Sequence, residues 1–111
     1  SDVCSSDLND VLNKSITKLC FEGPEEDLKQ TVNTQPAILA TSIAALEALK
    51  SKFDITPAFT AGHSLGEYAA YYAAGAITLE DAFKLIQKRA ELSKKLLLKE
   101  KIHLLLHFFH I

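Results

Sequence analysis

The sequence has little cysteine, no surplus of either charge and no long apolar run, and each shortage removes a class of protein. Two cysteines, Cys4 and Cys20, are too few for a disulfide scaffold in 111 residues. With no partner motif they read as inert thiols in a reduced, cytoplasmic setting. Lys+Arg number 12 against 14 Asp+Glu, a formal net charge of −2, so there is neither a basic face for nucleic acid nor an acidic tail. No run of ~18 apolar residues predicts a membrane span. No basic segment followed by an apolar stretch opens the chain as a signal peptide would. What is present is 48% hydrophobic and 23% charged residues, enough to bury the core of one domain.

Residues 1–7 are small, polar and without periodicity, and read as a separate terminal segment. Leu8, Val11, Leu12, Ile16 and Leu19 fall at helical spacing, with Asp7 placed as an N-cap. Gly23 and Pro24 punctuate the chain, and Pro24-Glu25-Glu26-Asp27 opens a short helix with acids at its positive end. Asn33-Thr34 reads as a turn or cap. A long helix is expected from near Pro36 to about Phe53. Its apolar residues Ile38, Leu39, Ile43, Leu46 and Leu49, with alanines between them, mark it as central. Pro57-Ala58-Phe59-Thr60-Ala61 is an apolar run of strand length, ended by Gly62. Leu65 to Ala74 is an alanine-rich helix with Gly75 as its C′ residue. A second long helix starts after Thr78 as N-cap and runs to about Leu98, with Asp81 in a weak capping box. The tail from Lys99 to Ile111 is Ile, Leu, Phe and His, an apolar segment of different character.

Between the expected strand and the alanine-rich helix stands Gly62-His63-Ser64-Leu65-Gly66, the pattern G-x-S-x-G. A nucleophile on a strand-to-helix hairpin has a strained backbone, and glycines two residues either side let neighbouring backbone approach. Ser64 then sits at a helix N-terminus, where the Leu65 N–H can donate to an oxyanion forming in the reaction. The alternative is a structural serine in a glycine-rich turn. His63, adjacent to Ser64, points away on such a turn and reads as a supporting or packing residue. Glu67, one turn into the helix, complements its dipole.

On the last long helix, Leu79, Ala82, Phe83, Leu85, Ile86, Ala90, Leu96 and Leu97 occupy one broad arc, and Arg89 falls inside it. An arginine there either snorkels to the edge or waits in a cavity for an anion, and its planar fork suits a carboxylate. Both readings stand on the spacing alone.

Gly62-His63-Ser64-Leu65-Gly66-Glu67-Tyr68, with Thr34-Gln35-Pro36-Ala37 upstream and Gln87-Lys88-Arg89 downstream, resembles the malonyl-CoA:acyl-carrier-protein transacylases. These belong to the acyltransferase domain family of fatty-acid and polyketide synthesis. The resemblance covers about residues 8–98 and implies an α/β parent fold. This chain would be a fragment of its large, hydrolase-like subdomain, mostly helical with one or two short strands. It implies that Ser64 carries the malonyl group from malonyl-CoA to the phosphopantetheine thiol of acyl carrier protein. Arg89 would hold the malonyl carboxylate, with Gln35 near the site, and no bound cofactor or metal would be needed. The family's opening segment and its catalytic histidine have no counterpart here, so the resemblance implies an incomplete, inactive fragment. Two other readings remain: a serine esterase or thioesterase, and a non-catalytic helical fragment. His103, His107 and His110 share a helical face, as metal ligands or a replacement base could. No cysteine or acid nearby completes a metal site, and none is expected.

Overall fold

The computed structural model describes residues 9–10 and 12–108, from 101 onward as backbone alone. The terminal segment 1–7, Asp7 as a cap, Leu8, Val11 and the side chains of His103, His107 and His110 lie outside the described residues.

The single helix expected from Leu8 to Leu19 is divided. Residues 9, 10 and 12 are helical, Asn13 turns the chain at φ +53°, and α1 (Ile16–Glu22) begins anew. Side-chain capping competes with helix continuation here. Asn9 Oδ1 accepts from the Ile16 N–H at 3.0 Å, and Ser15 Oγ accepts from the Lys18 N–H at 3.4 Å. The acidic turn forms α2 (Glu25–Leu28), as the sequence predicts.

Helix α3 (Thr31–Lys52) starts five residues ahead of Pro36, so Asn33-Thr34 lies within it and not at a turn. Proline inside a helix removes the N–H that would reach the carbonyl four residues back. That carbonyl, of Val32, accepts instead from Lys14 Nζ at 3.1 Å, and the same ammonium donates to Asn33 Oδ1 at 2.7 Å. Burial pushes the Lys14 ammonium below its ordinary range, with Glu91 acting in the opposite sense. A borrowed donor thus repairs the proline defect.

Beyond Phe53 the chain runs without regular structure to α4 (Gly66–Ala73). Among the described residues there is no strand, in place of the one or two expected. Pro57 to Ala61 has the composition of a strand, but a strand exists only beside a hydrogen-bonding neighbour, and none lies next to it among the described residues. Thr60 Oγ1 instead donates to the Ala70 carbonyl at 3.0 Å, tying the segment to α4. Helix α4 ends in a Schellman motif: Ala76 N–H to Tyr71 O at 2.9 Å, Gly75 N–H to Tyr72 O at 3.0 Å, and Gly75 at φ +76°.

Helix α5 (Leu79–Phe108) is capped by Thr78, whose Oγ1 accepts from the Asp81 N–H at 3.1 Å. It continues past the expected end at Leu98. The buried stripe is narrower than the spacing predicts. Ala82, Phe83, Ile86 and Ala90 are fully buried, whereas Leu85, Leu96 and Leu97 are exposed. From Lys94 to Glu100 every side chain is exposed, because the helix has run beyond the elements it packs on. Helix α3 is central as expected, touching α1, α2, α4 and α5. Leu12, Ile16, Leu39, Ile43, Phe83 and Ile86 form the shared core, which sets the base of α4 against α3 and α5.

Candidate active site

The site begins with a turn. The His63 carbonyl accepts from the Gly66 N–H at 3.0 Å and the Ser64 carbonyl from the Glu67 N–H at 3.1 Å, so the chain tightens directly into α4. Ser64 holds φ +56°, a left-handed conformation that a non-glycine residue rarely adopts. Gly62 makes the turn possible. A Cβ there would lie 2.0 Å from the Gly66 carbonyl oxygen and 2.6 Å from the Glu67 nitrogen. Gly66 plays no such part, since a Cβ on it would meet open space. One glycine of the pattern is required by close approach, not both.

Ser64 is exposed, and among the described residues its Oγ is hydrogen-bonded by Arg89, whose Nη2 donates at 2.7 Å. This contact places the guanidinium at the serine. The guanidinium turns towards the serine, with its stem on the side of the buried Ile86 and Ala90. Arg89 Nη1 donates to Gln35 Oε1 at 3.1 Å, and Gln35 Nε2 donates to Thr31 Oγ1 at 2.8 Å. The Arg89 carbon Cζ lies over the Tyr68 ring, 5.7 Å from its centroid. Three segments far apart in sequence therefore meet at one guanidinium.

Leu65 precedes the first helical residue and is half-buried against the core. His63 and Glu67 are exposed, and their recorded contacts to the turn are through the backbone. Tyr68 and Thr31 join the site in the structure without a role assigned to them from the sequence pattern. Tyr68 had a signal, because it closes the Gly62-to-Tyr68 motif that carries the family resemblance. Thr31 had none, because its role depends on α3 starting ahead of Pro36. Cys20 is exposed, away from the turn, and burial pushes its thiol slightly up. No group of three metal-ligating side chains occurs among the described residues.

Residues 2–103 match the acyl transferase domain. The chain belongs to that family. A malonyl CoA-acyl carrier protein transacylase of Bacillus subtilis (strain 168) is 52% identical over 83 residues, which is 75% of this chain and 26% of the relative. A solved acyl-carrier-protein S-malonyltransferase of Burkholderia pseudomallei superposes with a TM-score of 0.77 at 40% identity, covering 81% of this chain and 29% of that one. A type II PKS acyl-carrier protein in complex with its malonyl-transacylase gives a TM-score of 0.79 at 38% identity, covering 85% and 30%. The chain thus carries the acyltransferase fold, mostly helical in this part. It spans about a quarter of the length of the curated relative, 26%. Among the described residues no helix is long and apolar enough to cross a membrane.

Proposed function

We propose that this chain is the nucleophile-bearing part of a malonyl-CoA:acyl-carrier-protein transacylase, with residues 8–98 in its large subdomain. The observation that carries the reading is the 2.7 Å hydrogen bond from Arg89 to Ser64 Oγ. A fixed cation at a strained serine suits an acyl group that ends in a carboxylate, and a plain esterase would have no use for it.

In this reading Ser64 Oγ attacks the thioester carbonyl of malonyl-CoA and the Leu65 N–H donates to the oxyanion. The C–S bond breaks, CoA leaves as the thiol, and malonyl-serine remains. The phosphopantetheine thiol of acyl carrier protein then attacks that ester and restores the serine. Arg89 holds the malonyl carboxylate throughout. Two of its five N–H donors are engaged by Ser64 and Gln35, which leaves enough for a bidentate grip. His63 supports the turn. No cofactor or metal enters, and the setting is the cytoplasm.

Arginine keeps its proton at any physiological pH, so it cannot be the base for Ser64. Among the described residues no general base hydrogen-bonds Ser64 Oγ, and we assign the chain by itself little or no turnover. Mixing the intact chain with malonyl-CoA should give no stable adduct on Ser64 by mass spectrometry, and an adduct would refute the inactive-fragment assignment. Replacing the matching residues of the Bacillus subtilis relative by this chain should retain malonyl transfer, and Ser64→Ala in that chimera should abolish it. A chimera that folds, binds malonyl-CoA and transfers nothing would overturn the reading.

A further inference from the structure

Arg89 is the only arginine among the 12 basic residues of the chain, and its guanidinium is engaged from three directions. Gln35 and Ser64 hold it through hydrogen bonds in the guanidinium plane. Such bonds restrain in-plane motion and leave the group free to swing out of plane. The Tyr68 ring, under the cation at 5.7 Å, faces that remaining freedom.

We propose that Tyr68 is a positioning residue for acyl-group selection: the face of its ring fixes the Arg89 guanidinium beside Ser64. The inference rests on the function proposed above. The ring is well suited to the task. Tyr68 is half-buried and packed against the core, so its orientation is set by its surroundings. It sits on α4, the helix that Ser64 leads into, whereas Arg89 comes from α5. The ring therefore registers the cation to the same short helix as the nucleophile, and a shift between α4 and α5 would be felt at the contact. The attraction comes from the electron-rich face, so the phenol hydroxyl is dispensable and the ring is not.

The test uses the full chain with probes that do not require turnover. Binding of malonyl-CoA and of acetyl-CoA is measured by calorimetry. The Nε–H resonance of Arg89 is followed by NMR, where a single arginine needs no assignment among others. Tyr68→Leu should weaken malonyl-CoA about twofold to fivefold, the span of one exposed cation–π contact, and leave acetyl-CoA unchanged. It should also move the Arg89 resonance away from its ring-shifted position. Tyr68→Phe should restore both. Phenylalanines with one, two and three ring fluorines at position 68 keep the shape and drain the ring face. They should weaken malonyl-CoA stepwise, and they serve equally if the leucine variant fails to fold. Equal malonyl-CoA affinity across the fluorine series, or an Arg89 resonance indifferent to it, overturns the proposal. If the resonance responds but wild-type chain binds malonyl-CoA no better than acetyl-CoA, it is the malonyl reading that fails.

Discussion

At Ser64 the backbone holds a left-handed conformation that costs on the order of 1 kcal/mol or more, and the surrounding contacts must enforce it. Gly62 is the residue that permits this. Gly62→Ala would drive a methyl into the Gly66 carbonyl and should lower stability by about 1–3 kcal/mol, read from the urea midpoint. Gly66→Ala meets open space at the first residue of α4 and should change stability by less than about 0.5 kcal/mol in the same measurement. The motif treats its two glycines alike, whereas the structure separates them. Arg89→Ala removes a charged hydrogen-bond donor. In the Bacillus subtilis chimera it should lower malonyl transfer relative to acetyl transfer about 10- to 100-fold, the size of one such bond. An unchanged ratio would remove Arg89 from substrate recognition.

Among the helices, two ends were legible. Thr78 and Gly75 cap by rules that act within a few residues, and both stand where the sequence places them. Thr78→Ala should cost about 1 kcal/mol, measured as a lower thermal midpoint. The start of α3 was not legible, because it depends on a lysine 18 residues away from the carbonyl it satisfies. Lys14→Met should loosen the first turns of α3, seen as faster amide exchange there, while the rest of the helix keeps its protection. Surface pairing adds a small pH dependence to α5. Lys84, 2.7 Å from Glu80, holds that carboxyl below its ordinary value of 4.5 by a hydrogen bond and by its charge. A carboxyl with a lowered folded pKa stabilises above its ordinary value, and that contribution is lost as pH falls through the folded value. Glu80→Gln should thus lower the midpoint slightly at pH 7 and lose that effect in acid well below the ordinary carboxyl range, and salt should shrink the difference.

The whole molecule exposes more surface than its mass calls for. Its accessible area is 8041 Å², whereas a globular monomer of 12.2 kDa has about 6,100 Å². Its radius of gyration is 16.6 Å against about 13 Å for a compact domain of 111 residues. Large apolar side chains are among the exposed ones. Phe59 is 95% exposed and Phe21 85%, and Leu92, Leu96, Leu97 and Leu98 are open along α5. Surface of that kind binds hydrophobic dyes and self-associates. The isolated chain should enhance ANS fluorescence and show an apparent mass that rises with concentration in sedimentation. A monodisperse monomer that binds no dye would contradict the exposure seen here.

What was legible in the sequence is local: the Thr78 and Gly75 caps, the glycine turn around Ser64 and the apolar run of α3, in which Leu39 and Ile43 are buried but Ile38 and Leu49 are exposed. These follow from interactions within a few residues of chain, which composition and spacing encode directly. Tertiary structure alone decided that Pro57 to Ala61 forms no strand, since a strand is a relation between two segments. It alone also brought Arg89 to a serine 25 residues away and to Gln35, 54 residues away. Spacing on one helix fixes the direction in which a side chain leaves it. Only the packing of α3, α4 and α5 fixes what that side chain meets.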